Sequence, residues 1–340
     1  MKLKSEFADF YSMIRIDSET TALQDKRETL QNDIEDNFPE ILAENNIDVN
    51  KSDIEMFDQG SYKYFTTIKN KNAPVDRDVA VLVPIDIKEN SDPRKLKEYL
   101  KDSLKWGNRT IEIKEPCVRV SYHENDIETL HIDLPLYAQD DNNVYLARGK
   151  EYGNASWEEA DPKGLNNYLC NHINRHDQLR RVICYLKKWR NEQYVNAESD
   201  HSVPPSIGLT LLAIENFIEC TSLDGDDDLQ ALYDTVNNII GKFKIDFDCN
   251  DKLYHTIDVN LPVVPYSDVL NKMKNDTGDY METFYKRLCK MRDHLDDALS
   301  RTRDYDAAID VRKIFGEDFT LPEKESSKES NMSVKERSFG

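Results

Sequence analysis

The chain has 340 residues, with 45 lysines and arginines against 65 aspartates and glutamates, a formal charge of −20. A summed field of that sign opposes partners held by counterion release, so DNA, RNA and anionic membrane are expected to be poor ligands. Apolar residues at 39 %, among them 17 tyrosines and 12 phenylalanines, are enough to build a core, which excludes a disordered chain.

Helical spacing of Phe7, Phe10, Tyr11 and Ile14, and then of Leu30, Ile34, Phe38, Ile41 and Leu42, predicts two opening helices. Short β-type runs follow at 54–57, 79–83, 111–113, 118–122 and 130–134, with a helix over 93–105. From Asn166 onward the pattern is almost purely helical, over 178–193, 206–220, 226–241 and 279–302. The expected division is a mixed α/β half with its N-terminal helices over 1–165, and a helical half over 166–322. Residues 323–340 are poor in apolar side chains and rich in Ser, Glu and Lys, and are expected to form a flexible tail. No run of about 18 apolar residues and no apolar leader is seen, and the six cysteines lack CxxC spacing. A soluble, reduced, cytoplasmic protein is expected.

Three short segments carry chemistry. In a strand the side-chain period is two, so Asp76 and Asp78 project from one face where the strand enters its valine run. Asp133, between Ile132 and Leu134, is a lone carboxylate among buried neighbours and requires a cation. Three convergent carboxylates suit Mg²⁺, which completes its shell with phosphate oxygens, so a nucleoside triphosphate is the expected ligand. Gly60-Ser61 follows a strand and precedes a polar stretch, Tyr62 to Asn70, of helical character. Glycine lets the backbone approach an anion, and the turn amides and the Ser61 hydroxyl can donate to phosphate; a plain strand-to-helix turn with Ser61 as N-cap uses the same residues.

On 178–190, steps of 100° group Leu179, Val182, Ile183, Leu186 and Trp189 in one arc, with Lys187 on its flank and Lys188 opposite. Lys187 is expected to border a cleft and Lys188 to face water. Ser206, after Pro204-Pro205, has N-cap chemistry. The acidic run at 224–228 is expected to cap the next helix.

QGSYKYFTTI, DRDVAVLVP, HIDLPLYA, LRRVICYLKKW and PPSIGLTLLAIE, spread over residues 50–320, resemble the cGAS/DncV-like nucleotidyltransferases (CD-NTases) of bacterial CBASS anti-phage systems. The resemblance implies an α+β fold, with a polymerase-β-like nucleotidyltransferase core and mixed sheet packed against a C-terminal helical (OAS-like) domain that closes the nucleotide cleft. It implies that Asp76 and Asp78 hold two Mg²⁺ ions, that Asp133 holds the one that activates the acceptor hydroxyl, and that Ser61, Lys187 and Ser206 contact the triphosphate. By the same resemblance Gln59, Gly60 and Tyr64 lie near the nucleotides, with Tyr64 able to stack on a base. Where the family often has Gly-Thr, this chain has Phe65-Thr66.

The implied activity is condensation of nucleoside triphosphates, ATP and GTP, into a cyclic oligonucleotide messenger that acts through a downstream effector. HIDLPLYA tilts the product towards a 3′,3′-cyclic dinucleotide such as cGAMP. Related systems conjugate the synthase through a C-terminal glycine, which makes Gly340 a candidate conjugation site. Two readings stay open beside it. A linear transferase could act on RNA or a small molecule, the RNA version being opposed by the charge. A non-catalytic, antitoxin-like interaction protein is opposed by three carboxylates that repel one another.

Overall fold

In the computed structural model, which describes residues 2–16, 21–70, 74–105, 107–197 and 199–324, helices α1 (Lys4–Ile14) and α2 (Thr21–Glu44) open the chain. The first half continues with β1 (Glu55–Gln59), the one-turn helix α3 (Gly60–Lys63), β2 (Val75–Pro84), α4 (Pro93–Ser103), β3 (Thr110–Ile113), β4 (Val118–Glu124), β5 (Ile127–Leu134), β6 (Leu136–Asp140), β7 (Asn143–Gly149) and β8 (Ala155–Ala160). These strands make one mixed sheet in the order β3-β4-β5-β2-β6-β7-β8, with β1 antiparallel to β2. Strand β2 is parallel to β5 through its first residues and to β6 through its last.

The alternation of β2 decides which face does what. Val79, Val81 and Val83 join Leu30, Ile34 and Phe38 of α2 and Leu96 and Leu100 of α4 in one core. The opposite face carries only a small apolar cluster of Ala80, Leu82 and Tyr137, which leaves room at the first residues of β2 for polar side chains. Lys97, fully buried on α4, donates to the carbonyls of Lys114, Glu115 and Gly149 at 2.7, 2.9 and 2.8 Å, tying the β3–β4 turn to the end of β7.

The second half contains α5 (Pro162–Ile173), α6 (Asp177–Gln193), α7 (Ser206–Asn216), the two-residue strands β9 (Thr221–Ser222) and β10 (Gly225–Asp226), α8 (Asp228–Ile240), the hairpin β11 (Lys244–Phe247) and β12 (Leu253–Thr256), α9 (Asp279–Ser300) and α10 (Asp304–Phe315). Asp227 caps α8 by accepting from the Gln230 amide, as the acidic run predicts. No helix among the described residues is long and apolar enough to cross a membrane. The cysteines are free, and Cys249 is exposed.

The architecture is the α+β arrangement the resemblance implies, with three departures from the sequence reading. Helix α1 packs on the helical half and not on the sheet: Leu3, Phe7, Phe10 and Ile14 are buried there, with Phe10 4.8 Å from Phe315 between ring centroids. An apolar stripe requires a partner without saying which one. Strands β6 to β8 were not foreseen, because β8 (ASWEEA) buries neither face fully and shows no apolar alternation. The helical half holds an unpredicted hairpin, β11–β12, whose residues are largely exposed. The tail over 325–340, with Gly340, lies outside the described residues.

Candidate active site

Strand register assembles the acidic cluster. Asp76 pairs with His131 and Asp78 with Asp133 across the parallel β2–β5 ladder, so all four side chains share a face. On the far side of β5, Arg119 of β4 pairs with Asp133. Arg119 donates from Nε and Nη2 to the two Asp133 carboxylate oxygens at 2.7 and 2.8 Å, and this guanidinium is the cation that the buried carboxylate requires. His131 Nε2 lies 3.1 Å from Asp76 Oδ1, and its Nδ1 lies 3.2 Å from Glu128 Oε1. Ligand atoms of Asp76, His131 and Asp133 all lie within 4.8 Å of one another, a group able to hold a metal ion.

Burial, with Asp76 and then Asp133 nearby, pushes the Asp78 carboxyl well above the usual carboxylate range. Burial, the largest single influence, works against a charged His131, but its hydrogen bond to Asp76 and the charges of Asp76 and Asp133 together outweigh it and the imidazole is shifted upward.

Arg77, between the two aspartates, points to the other face. It donates to Asp58 at 2.9 and 3.0 Å and lies 4.1 Å from the centre of the Tyr62 ring, joining β1, β2 and α3 beneath the site.

Strand β1 ends with Gln59 opposite Asp78. Gly60 then turns the chain at φ +68°, and a Cβ there would lie within 2.9 Å of Asp78 Cγ and closer still to Oδ2. Glycine is what allows the turn to touch the carboxylate. The expected helix over 62–70 is a single turn, because Phe65 takes φ +56° and reverses the chain. Ser61 is not an N-cap: Gln59 holds that position without a side-chain bond. The Ser61 hydroxyl instead lies 3.0 Å from Thr67 Oγ1.

Phe65 is half exposed and keeps the left-handed backbone for which glycine is suited. Phe65→Gly is expected to stabilise the protein by about 1 kcal/mol in denaturant unfolding, since relief of the Cβ clash exceeds the added chain entropy.

Between the two halves lies a cavity of about 420 Å³, within the range of small-ligand pockets. Gln59, Gly60, Ser61, Tyr64, Asp76, Asp78, Lys187 and Ser206 all line it. Asp133 does not line it and joins through its ladder pairing with Asp78. Leu165, Leu169, Leu261 and Val269 supply apolar walls. Tyr64 is only 4 % exposed, and its hydroxyl donates to Asn166 Oδ1, while Asn166 donates to the Asp58 carbonyl at 3.0 Å. Lys187, 4 % exposed, donates to the carbonyl and hydroxyl of Thr66, each at 3.0 Å, which links α6 to the turn after Ser61. Burial brings its ammonium down to about 8.

Two sequence expectations fail here. Lys188 does not face water: it is 5 % exposed and paired with Asp318 at 2.6 Å and with Glu192. Helix α6 is packed by α1, α5, α7, α8 and α10, so its apolar arc does not mark its only buried side. Ser206 is the first helical residue of α7, with Pro205 in the cap position, and its hydroxyl accepts from Arg190 Nη1 at 2.7 Å. His131, Arg119, Thr66, Asn166 and Arg190 were not singled out from sequence. Only His131 had a readable signal, two residues before Asp133 and therefore on its face.

No curated protein matches the sequence. Residues 54–137, which carry the Gly-Ser turn and all three aspartates, match the family described as cyclic GMP-AMP synthase DncV-like, nucleotidyltransferase domain. Among solved structures, Vibrio cholerae DncV cyclic AMP-GMP synthase is similar at 17 % identity and TM-score 0.69, over 92 % of this chain and 97 % of that chain. The same synthase with the linear intermediate 5′ pppA(3′,5′)pG is similar at 18 % and 0.64, over 94 % and 99 %. The Bradyrhizobium diazoefficiens CD-NTase CdnG in complex with GTP is similar at 13 % and 0.68, over 92 % and 95 %. At these identities the likeness is one of fold. Residues 54–137 therefore carry the DncV-like nucleotidyltransferase domain, and the chain as a whole has the fold of the cGAS/DncV-like nucleotidyltransferase structures it resembles.

Proposed function

We propose that the protein is a Mg²⁺-dependent nucleotidyltransferase that joins ATP and GTP into a cyclic dinucleotide, 3′,3′-cGAMP, releasing pyrophosphate, as a soluble messenger of anti-phage defence. The observation that carries this reading is the ladder register that sets Asp76, Asp78 and Asp133 on one face beside a cavity of nucleotide size. The residues fit a divalent ion, since clustered carboxylate oxygens and an Asp78 pushed upward by its neighbours call for positive charge. Asp76, Asp78 and Asp133 would hold two Mg²⁺ ions, which supply a lowered pKa at the attacking ribose hydroxyl and neutralisation of the triphosphate.

The chain's own groups do the rest. The Gly60-Ser61 amides and the Ser61 hydroxyl bind phosphate oxygens, and Lys187 and Ser206 orient the triphosphate from the helical side. The apolar walls hold the base and exclude water. The fold of DncV, a cyclic AMP-GMP synthase crystallised with a linear dinucleotide intermediate, supports the choice of product. Incubation with Mg²⁺ and labelled ATP and GTP, read by mass spectrometry, tests it. A phosphatase-resistant cyclic dinucleotide is expected; a phosphatase-sensitive product would overturn cyclisation, and no product would overturn the enzyme.

Lys187 gives this reading a pH signature. Its ammonium is charged below about 8 and neutral above it, so affinity for a nonhydrolysable triphosphate is expected to weaken as pH rises from 7 to 9. Lys187→Met is expected to weaken that binding by about tenfold and abolish the pH dependence. Stability moves the other way. The folded pKa is depressed from 10.5, so the unfolded chain binds more protons between about 8 and 10.5 and the unfolding free energy rises with pH across that window. Titration calorimetry and denaturant melts at pH 7 and 9 check both signs.

A further inference from the structure

Beyond Ser206 lies a second and larger cleft, of about 950 Å³, between the β3–β4 turn and the end of α6. The Arg190–Ser206 hydrogen bond is the wall between the two spaces: Ser206 lines the catalytic cavity and Arg190 lines the cleft. Among the described residues Arg190 has only neutral partners, Ser206 Oγ at 2.7 Å and Asn191 Oδ1 at 2.8 and 3.1 Å. The cleft also presents the exposed lysines Lys69, Lys150 and Lys272, none of which forms an ion pair among the described residues.

The acids there are already engaged. Glu192 and Asp318 take Lys188, Glu115 takes Arg148 and Glu317 takes Arg312. With Asp200, five acids line the cleft against five cations, and Lys150 and Lys272 also act on Glu115, while Arg148 and Arg312 answer Glu115 and Glu317 from outside the lining. In a chain of net charge −20, a recessed guanidinium with no carboxylate partner among the described residues, in a cleft that also presents three exposed lysines, is a preformed anion site.

We propose that this cleft is a polyphosphate subsite, in which Arg190, Lys69, Lys150 and Lys272 hold pyrophosphate or the triphosphate end of a nucleotide. The inference rests on the proposed function for its link to catalysis. A triphosphate lying along Ser61, Lys187 and Ser206 has Arg190 next in line, so a pyrophosphate cleaved from it would pass into the cleft. No bond forms or breaks in the cleft itself.

Calorimetry of the full chain with inorganic pyrophosphate, in chelator and at low salt, tests the subsite. Lys150→Gln combined with Lys272→Gln changes two exposed residues outside the catalytic cavity, and is expected to weaken pyrophosphate by about tenfold or more. Arg190→Gln is expected to weaken pyrophosphate likewise. Unchanged affinity in the double variant, or no binding to the parent protein, would overturn the subsite.

Because the measurement needs no turnover, heat lost in the double variant upholds the subsite even where no nucleotide product forms. Product formation with unaltered pyrophosphate heat removes the subsite and leaves the enzyme. Tighter binding of pyrophosphate than of tripolyphosphate assigns the cleft to the leaving group. The reverse order assigns it to a nucleotide's triphosphate, and both orders uphold a polyphosphate site.

Discussion

Asp78→Asn is expected to lower product formation by about 10³-fold or more and, without added metal, to make the protein more stable. Both effects have one cause. Asp78 is recessed beside two other carboxylates, and burial, Asp76 and Asp133 all raise its pKa. Asparagine keeps the shape and removes the charge, which relieves the repulsion and discards a metal ligand. The pH dependence follows from the direction of the shift. The folded pKa lies above the unfolded value, so the destabilisation is absent below the unfolded pKa, near 3.9, and grows as pH rises through the folded one. The parent protein in chelator is expected to lose stability from pH 4 to pH 7.5 more steeply than the variant. Mg²⁺ is expected to raise the midpoint of the parent by mass action and to do much less for the variant. Thermal melts in chelator and in Mg²⁺ measure this. A variant less stable than the parent in chelator would show that Asp78 is held by hydrogen bonds and not strained by neighbouring charge.

Gly60→Ala is expected to lower turnover by about 10²-fold and stability by about 1 to 2 kcal/mol. The residue sits at φ +68°, and its added methyl would enter the space of the Asp78 carboxyl group. Either the turn withdraws from its phosphate-binding position or Asp78 leaves the face it shares with Asp76 and Asp133. Measurement of the stability of Gly60→Ala, Asp78→Asn and their combination tests the contact itself. The two changes are expected to be strongly non-additive, because a clash with one side chain is felt through that side chain. Simple additivity would place the cost in the backbone turn alone.

Much of the site was readable from the chain because strand geometry is a strict rule. A period of two put Asp76 and Asp78 on one face and predicted that Asp133 would require a cation. The partners of that cluster were not readable. Arg119 reaches Asp133 only because β4 pairs with β5 in the observed register. A helical arc was a weaker guide: it found Lys187 and misplaced Lys188, since α6 is enclosed by neighbours on several sides. Cap chemistry, the alternative to a phosphate contact at Ser61 and the local reading of Ser206, is not realised at either residue: the hydroxyls bond to the side chains of Thr67 and Arg190.

Local composition and periodicity by themselves determined the opening helices, the strand that carries Asp76 and Asp78 and the glycine turn, because each depends on contacts within a few residues. Only the tertiary structure decided that α1 crosses to the helical half, that Lys187 reaches Thr66 and that Arg190 bonds to Ser206. Those contacts join residues 16 or more apart in sequence, and no local pattern encodes which of several compatible surfaces will meet when the chain closes.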